Sequence, residues 1–168
     1  MKKLFAILLV SLFSVALTEP AEAQGVQTKY QGEVYISGNL GVGNAALHRF
    51  QLHTIQGARI GECFSMGIGT GLDWYTQDIE SGMLMVPVFA DLKLYAPTQG
   101  KFDPFIMVDL GYGFAAEDPQ LGGLMLGAGI GFKAGVFAMS VGYHRQQLGI
   151  QGISVGMSAI QLKLGVAF

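Results

Sequence analysis

The chain has 168 residues, with 25 glycines, one cysteine, and 10 basic against 12 acidic side chains. A net charge of −2 gives no basic surplus for gripping nucleic acid. One cysteine excludes an internal disulfide, and glycines dispersed through apolar alternation exclude a flexible low-complexity chain.

The N-terminus has the form of an export signal. Lys2 and Lys3 supply the positive start, Leu4 to Leu17 the apolar stretch, and Ala21-Glu22-Ala23 a small-x-small cleavage site. The apolar run is too short to span a bilayer comfortably as an anchoring helix. Cleavage after Ala23 is expected, so that residues 1–23 are removed and residues 24–168 form one domain. No cysteine follows the site, which argues against a lipid-anchored lipoprotein. The signal carries two bases and two acids, so its removal leaves the charge balance unchanged.

Beyond it, apolar residues recur at every second position in eight segments. They run from Lys29 to Gly43, Leu47 to Ala58, Glu62 to Tyr75, Met83 to Tyr95, Phe102 to Ala115, Leu121 to Lys133, Val136 to His144 and Val155 to Phe168. Successive side chains of a strand point to opposite faces. In the last segment Ile160, Leu162, Leu164, Val166 and Phe168 share one face, while Ala159, Gln161, Lys163, Gly165 and Ala167 share the other. Asp73, Asp91, Lys93, Asp109, Lys133 and Lys163 all fall on the non-greasy faces of their segments. That sorting is required if the greasy face meets lipid, where a mid-membrane lysine costs ~2–4 kcal/mol. An even number of such strands behind a secretion signal predicts an all-β fold: an eight-stranded antiparallel up-and-down transmembrane β-barrel in an outer membrane, with both termini periplasmic.

Strand direction then sorts the connections. Outer loops are expected at Asn44–Ala46, Thr76–Gly82, Ala116–Gln120 and Arg145–Ser154, and inner turns at Arg59–Gly61, Ala96–Lys101 and Ala134-Gly135. Asp78, Glu80, Glu117 and Asp118 make two outer loops acidic. Tyr30, Trp74, Tyr95, Phe102 and Phe168 sit near strand ends, where interfacial girdles form.

The segments FQLHTIQGARI, MGIGTGLDWY, PVFADLKLY, KFDPFIMVDLGYGF and GAGIGFKAG, spread between Phe50 and Tyr143, resemble the small bacterial outer-membrane β-barrel domain family. The resemblance implies the barrel architecture and no shared activity, since related folds serve as adhesins, defence factors, small-solute pores and lipid enzymes. The terminal Phe168 resembles the signal read by the barrel-assembly machinery. Gly165 and Val166 fit that pattern, and its usual second aromatic is missing.

Candidate chemistry is sparse. Of His48, His53 and His144, none matches the outer-membrane enzymes of similar size. Lipid A deacylases place a serine two residues after a histidine, but His144 is followed by Arg145 and Gln146. The Asp-Ser pair of the palmitoyltransferases and the Asp-Asp and Asp-His pairs of omptins are absent. A spatial Ser140–His144–Asp arrangement is the remaining catalytic option. No histidine–carboxylate cluster has metal-ligand spacing. The Gly-x-Gly pairs at Gly67/Gly69, Gly111/Gly113 and Gly127/Gly129 lie inside strands rather than at strand-to-helix turns, so they read as room in a narrow barrel. Cys63 reads as a small filler at a strand start, with no basic neighbour to activate it. No cofactor is implied.

The most informative constellation is inward charge. Glu33, Asp91, Lys93, Asp109, Lys133 and Lys163 form an expected interior network, with Asp109 pairing to Lys93 or Lys133. Eight strands enclose just enough room for side chains, so these charges are expected to plug the lumen rather than line a path. The expected function is non-catalytic: envelope structure or presentation of loops to an external partner. Transport or binding of a small, possibly apolar, molecule is the alternative, and lipid modification a third option. Expected partners are outer-membrane lipid, the assembly machinery through the C-terminal strand, and an unidentified extracellular partner.

Overall fold

The computed structural model describes residues 27–43, 47–76, 83–96, 98, 100–118, 121–150 and 153–168. The expected export signal, residues 1–23, and the acidic residues Asp78 and Glu80 lie outside the described residues.

Eight strands follow one another: β1 (Thr28–Val42), β2 (Arg49–Ile60), β3 (Phe64–Tyr75), β4 (Met83–Tyr95), β5 (Phe102–Ala115), β6 (Gly122–Ala134), β7 (Phe137–Ile150) and β8 (Ile153–Ala167). Each pairs antiparallel with its sequence neighbour, and β1 pairs with β8, closing the barrel. The termini of the barrel therefore share one end, called here the terminal end, and the β1–β2 and β7–β8 connections share the far end. Strands of 12 to 15 residues are long enough to cross a bilayer, which takes about 9–11 tilted residues.

The period-two pattern becomes an inside and an outside. Phe50, Trp74, Ile130 and Phe137 are each more than three-fifths exposed. Their inward neighbours Arg49, Asp73 and Ala138 are buried. A wall this apolar on its outer face is an aggregating surface in water and a solvated one in lipid.

Two positions show how the wall is made. Pro87, with no N–H to give, coincides with a gap in β3–β4 pairing between Thr70↔Val88 and Asp73↔Met85. At the seam, Phe168 exchanges two 2.8 Å backbone bonds with Gly32. The Phe168 ring lies so close over Gly32 that a Cβ there would stand 2.6 Å from it. An aromatic ring thus covers a glycine at the closing seam, as in designed sheets.

The structure differs from the sequence expectation in three places. The expected outer loop Arg145–Ser154 is mostly strand: β7 continues to Ile150 and β8 begins at Ile153, with Gln146↔Met157 and Leu148↔Val155 paired. Inward burial continues through Gln146 and Leu148, while exposed Arg145 points outward. The ladder outlasts the greasy outer face, so an apolar alternation ends before the strand does. Tyr95 is 5% exposed and faces inward beside Phe105, not into a girdle. Cys63 is exposed in the turn before β3 and fills no gap.

Candidate functional site

The lumen is the candidate site, built in tiers by inward residues from nearly every strand. The far end holds an apolar cluster of Tyr75, Met85, Leu148 and Met157, with Leu47 and Met83 packed against it. Beneath it, Arg49 Nη1 donates to the Tyr75 hydroxyl at 2.7 Å, and its Nη2 donates to Nδ1 of His144.

The next tier centres on Gln51. Its Oε1 accepts from Ser37 Oγ at 2.9 Å, Asn39 Nδ2 at 2.8 Å and Gln161 Nε2 at 2.5 Å. Its Nε2 donates to Asp73 Oδ2 at 2.8 Å, and His53 Nε2 donates to Asp73 Oδ1 at 2.7 Å. Both His53 and Asp73 are buried.

The middle tier is ionic. Lys93 Nζ lies 2.8 Å from Glu33 Oε2 and 2.5 Å from Asp91 Oδ1. Lys163 Nζ lies 2.5 Å from Asp109 Oδ2. The centre of the Tyr35 ring lies 5.7 Å from the Lys93 ammonium and 6.0 Å from that of Lys163. At the terminal end Gln31 donates to Glu33 and, at 3.0 Å, to the Tyr95 hydroxyl. Arg59 lies over the Tyr95 ring at 4.2 Å and reaches Asp103 at 3.5 Å.

Glycines make the space for the bulky inward side chains. Phe89 lies between Gly69 on β3 and Gly111 on β5, each directly opposite it in register. A Cβ on Gly69 would stand 2.3 Å from the Phe89 ring.

The structure brings together five of the six residues expected in the charge network. Glu33, Asp91, Lys93, Asp109 and Lys163 are all buried. Lys133 stands apart, partly exposed and without an ion pair among the described residues. Asp109 pairs with Lys163, not with Lys93 or Lys133. The reason is register. Gly127, not Lys133, lies opposite Asp109, and Lys133 lies opposite Asp103. That displacement along β6 is roughly 20 Å at strand rise. Lys93 is engaged by two nearer carboxylates.

Sequence reasoning missed the upper polar tier. Arg49, Gln51 and His53 alternate with Phe50 and Leu52, so parity alone marks them inward. Among the described residues, four buried carboxylates (Glu33, Asp73, Asp91, Asp109) share the lumen with three buried bases (Arg49, Lys93, Lys163). Isolated charges in such a place each cost several kcal/mol, so their cross-lumen partners are a condition of folding.

The geometry does not assemble Ser140 with His144. Ser140 Oγ and His144 Nε2 are both buried without a hydrogen-bond partner among the described residues, and Nδ1 of His144 is taken by Arg49. His53 and Asp73 are paired, and tiers above and below cover them.

No protein-family model matches the chain, and no curated protein does. Solved structures do. The outer membrane enzyme PagL superposes with a TM-score of 0.62 at 10% identity, over 80% of this chain and 98% of that one. Neisserial surface protein A superposes with a TM-score of 0.61 at 14% identity, over 86% and 98%. The outer membrane protein OprG from Pseudomonas aeruginosa gives 0.52 at 9% identity, over 88% and 99%. The chain has the fold of the small bacterial outer-membrane eight-stranded β-barrels.

Proposed function

We propose that this protein is a non-catalytic outer-membrane barrel of a double-membraned bacterium, exported by its N-terminal signal, that serves envelope structure or surface interaction through a rigid wall. The observation that carries the reading is the lumen itself. Hydrogen-bonded and ion-paired tiers fill it from Arg49 to Glu33, with apolar clusters at Tyr75/Met85, Tyr35/Phe89 and Tyr95/Phe105. Such a filling supports rigidity and disfavours passage of solutes. The terminal end then faces the periplasm, and Phe168, paired with Gly32 at the seam, is presented to the assembly machinery.

The test is conductance in a planar bilayer. A filled lumen gives no steady channel. Stable unitary currents that change on Lys93→Met or Lys163→Met would replace this reading with a solute path. Lipid analysis of a deletion strain addresses enzymatic action: unchanged lipid A and phospholipid acylation is expected.

A further inference from the structure

The charges of the middle tier do not balance. Glu33, Asp91 and Asp109 are buried beside Lys93 and Lys163, so full ionisation leaves one negative charge without a counter-ion. Asp91 on β4 and Asp109 on β5 stand directly opposite each other in register, both buried on the inward face. Their side chains come within hydrogen-bonding reach of each other. Two ionised carboxylates at that separation repel, and neither can donate to the other.

Each of the two has one oxygen engaged. Asp91 Oδ1 accepts from Lys93 and Asp109 Oδ2 accepts from Lys163, each at 2.5 Å. The remaining oxygens, Asp91 Oδ2 and Asp109 Oδ1, are buried and have no hydrogen-bond partner among the described residues. The surrounding strands offer them no donor. Gly67 on β3 lies opposite Asp91, and Gly127 on β6 lies opposite Asp109. On β1, Tyr35 is within hydrogen-bonding reach of Glu33. His53 on β2 is paired with Asp73, and Nδ1 of His144 on β7 is taken by Arg49. One proton would satisfy both free oxygens and remove the surplus charge.

We propose that Asp91 and Asp109 bind a single proton between them at neutral pH, carried on Asp91 Oδ2 and donated to Asp109 Oδ1. Glu33 then balances Lys93, Asp109 balances Lys163, and Asp91 is neutral. The shared proton also joins the two ionic struts into one chain, from Glu33 on β1 through Lys93, Asp91 and Asp109 to Lys163 on β8. Strands β1 and β8 are the pair that closes the barrel, so this chain crosses the lumen and returns to the seam. Loss of the proton leaves two carboxylates facing each other at its centre. The native barrel thus holds a proton that the unfolded chain releases, and its stability falls as pH rises.

Infrared spectra of the folded protein, carbon-13 labelled at its aspartate carboxyls and held at neutral pH in an ester-free detergent, read the proton directly. A carboxylic-acid C=O band that moves with the label should be present. It should vanish in Asp91→Asn, where the amide N–H donates to Asp109 in place of the acid. It should also vanish in Asp109→Asn, because the charges then balance with Asp91 ionised. Asp73→Asn, which alters the His53 pair instead, should keep it. Unfolding equilibria over a pH series give a second reading. Wherever the native lumen holds the proton and the unfolded chain does not, the wild-type unfolding constant should rise about tenfold per pH unit relative to that of Asp91→Asn. A wild-type spectrum without the acid band overturns the proposal, whether a cation or water meets the surplus charge. A band that survives both substitutions overturns it by placing the proton on another aspartate. Equal pH slopes for the wild type and Asp91→Asn overturn it as well.

Discussion

Lys163 of β8 and Asp109 of β5 meet at 2.5 Å across the lumen, three strands apart around the wall. Lys93 of β4 and Glu33 of β1 form the corresponding brace on the other side. Two ionic struts thus tie strands that share no backbone hydrogen bonds. Asp109→Ala leaves the Lys163 ammonium buried without its acceptor, and should destabilise the barrel by about 3–5 kcal/mol. Asp109→Leu with Lys163→Met removes both charges and should recover most of that loss. Denaturant titration of vesicle-folded protein measures both. Wild-type resistance of Asp109→Ala would mean that water already solvates the pair, and would favour an open lumen.

The single cysteine supplies a topology probe without engineering. Cys63 is exposed in the β2–β3 turn, at the terminal end. On intact cells a membrane-impermeant maleimide should leave it unmodified and should label it once the outer membrane is permeabilised. In a Cys63→Ser background, Asp118→Cys in the β5–β6 connection should label on intact cells. Labelling of native Cys63 from outside would invert the barrel.

Gly69→Ala tests how tightly the lumen is filled. A methyl group at Gly69 would meet the Phe89 ring at 2.3 Å, while one at Gly111, on the other neighbouring strand, would meet the Phe89 Cβ at 2.5 Å. Overpacking of this kind costs about 1–3 kcal/mol. Phe89→Leu in the same chain should return part of the loss by shortening the obstacle. A Gly69→Ala variant as stable as the parent would show that the ring has free space beside it.

Much of this was legible because a membrane barrel writes its two faces directly into sequence parity. Phe168, Leu164 and Ile160 are exposed and Lys163 and Gln161 buried, as alternation alone requires. Strand ends were readable only while the outer face stayed greasy. At Arg145 the outward residue turns polar, so the pattern stops although pairing continues to Ile150. Contacts inside the lumen were less legible, because they depend on the shear between non-adjacent strands. Parity puts both Lys133 and Lys163 inward, but only register shows that Lys163 lies level with Asp109. The Gln51-centred tier escaped notice because its hub and most of its donors are amides and hydroxyls, which carry no charge to sort, although parity had already set Asp73 inward.

The last prediction compares two sites on β8, one on each face. Leu164 is 44% exposed on the outer wall, opposite Ile36 in the middle of β1 and Met139 near the start of β7. That register sets it deeper than its distance from the C-terminus implies. Leu164→Lys should therefore cost about 2 kcal/mol or more, short of the midplane maximum. Gln161 is 1% exposed and is one of three donors to Gln51 Oε1. Gln161→Leu removes that bond but leaves Ser37 and Asn39 still donating to the same oxygen. Its cost should be about 1 kcal/mol, the net worth of one hydrogen bond. Both variants keep the terminal Phe168, so the assembly signal is constant between them. Equilibrium unfolding from lipid vesicles should rank Leu164→Lys as the more damaging. The reverse order with Leu164→Lys near neutral would place Leu164 in water and contradict the assignment of faces on this strand; the reverse order with both losses large would make Gln161 the keystone of the polar tier.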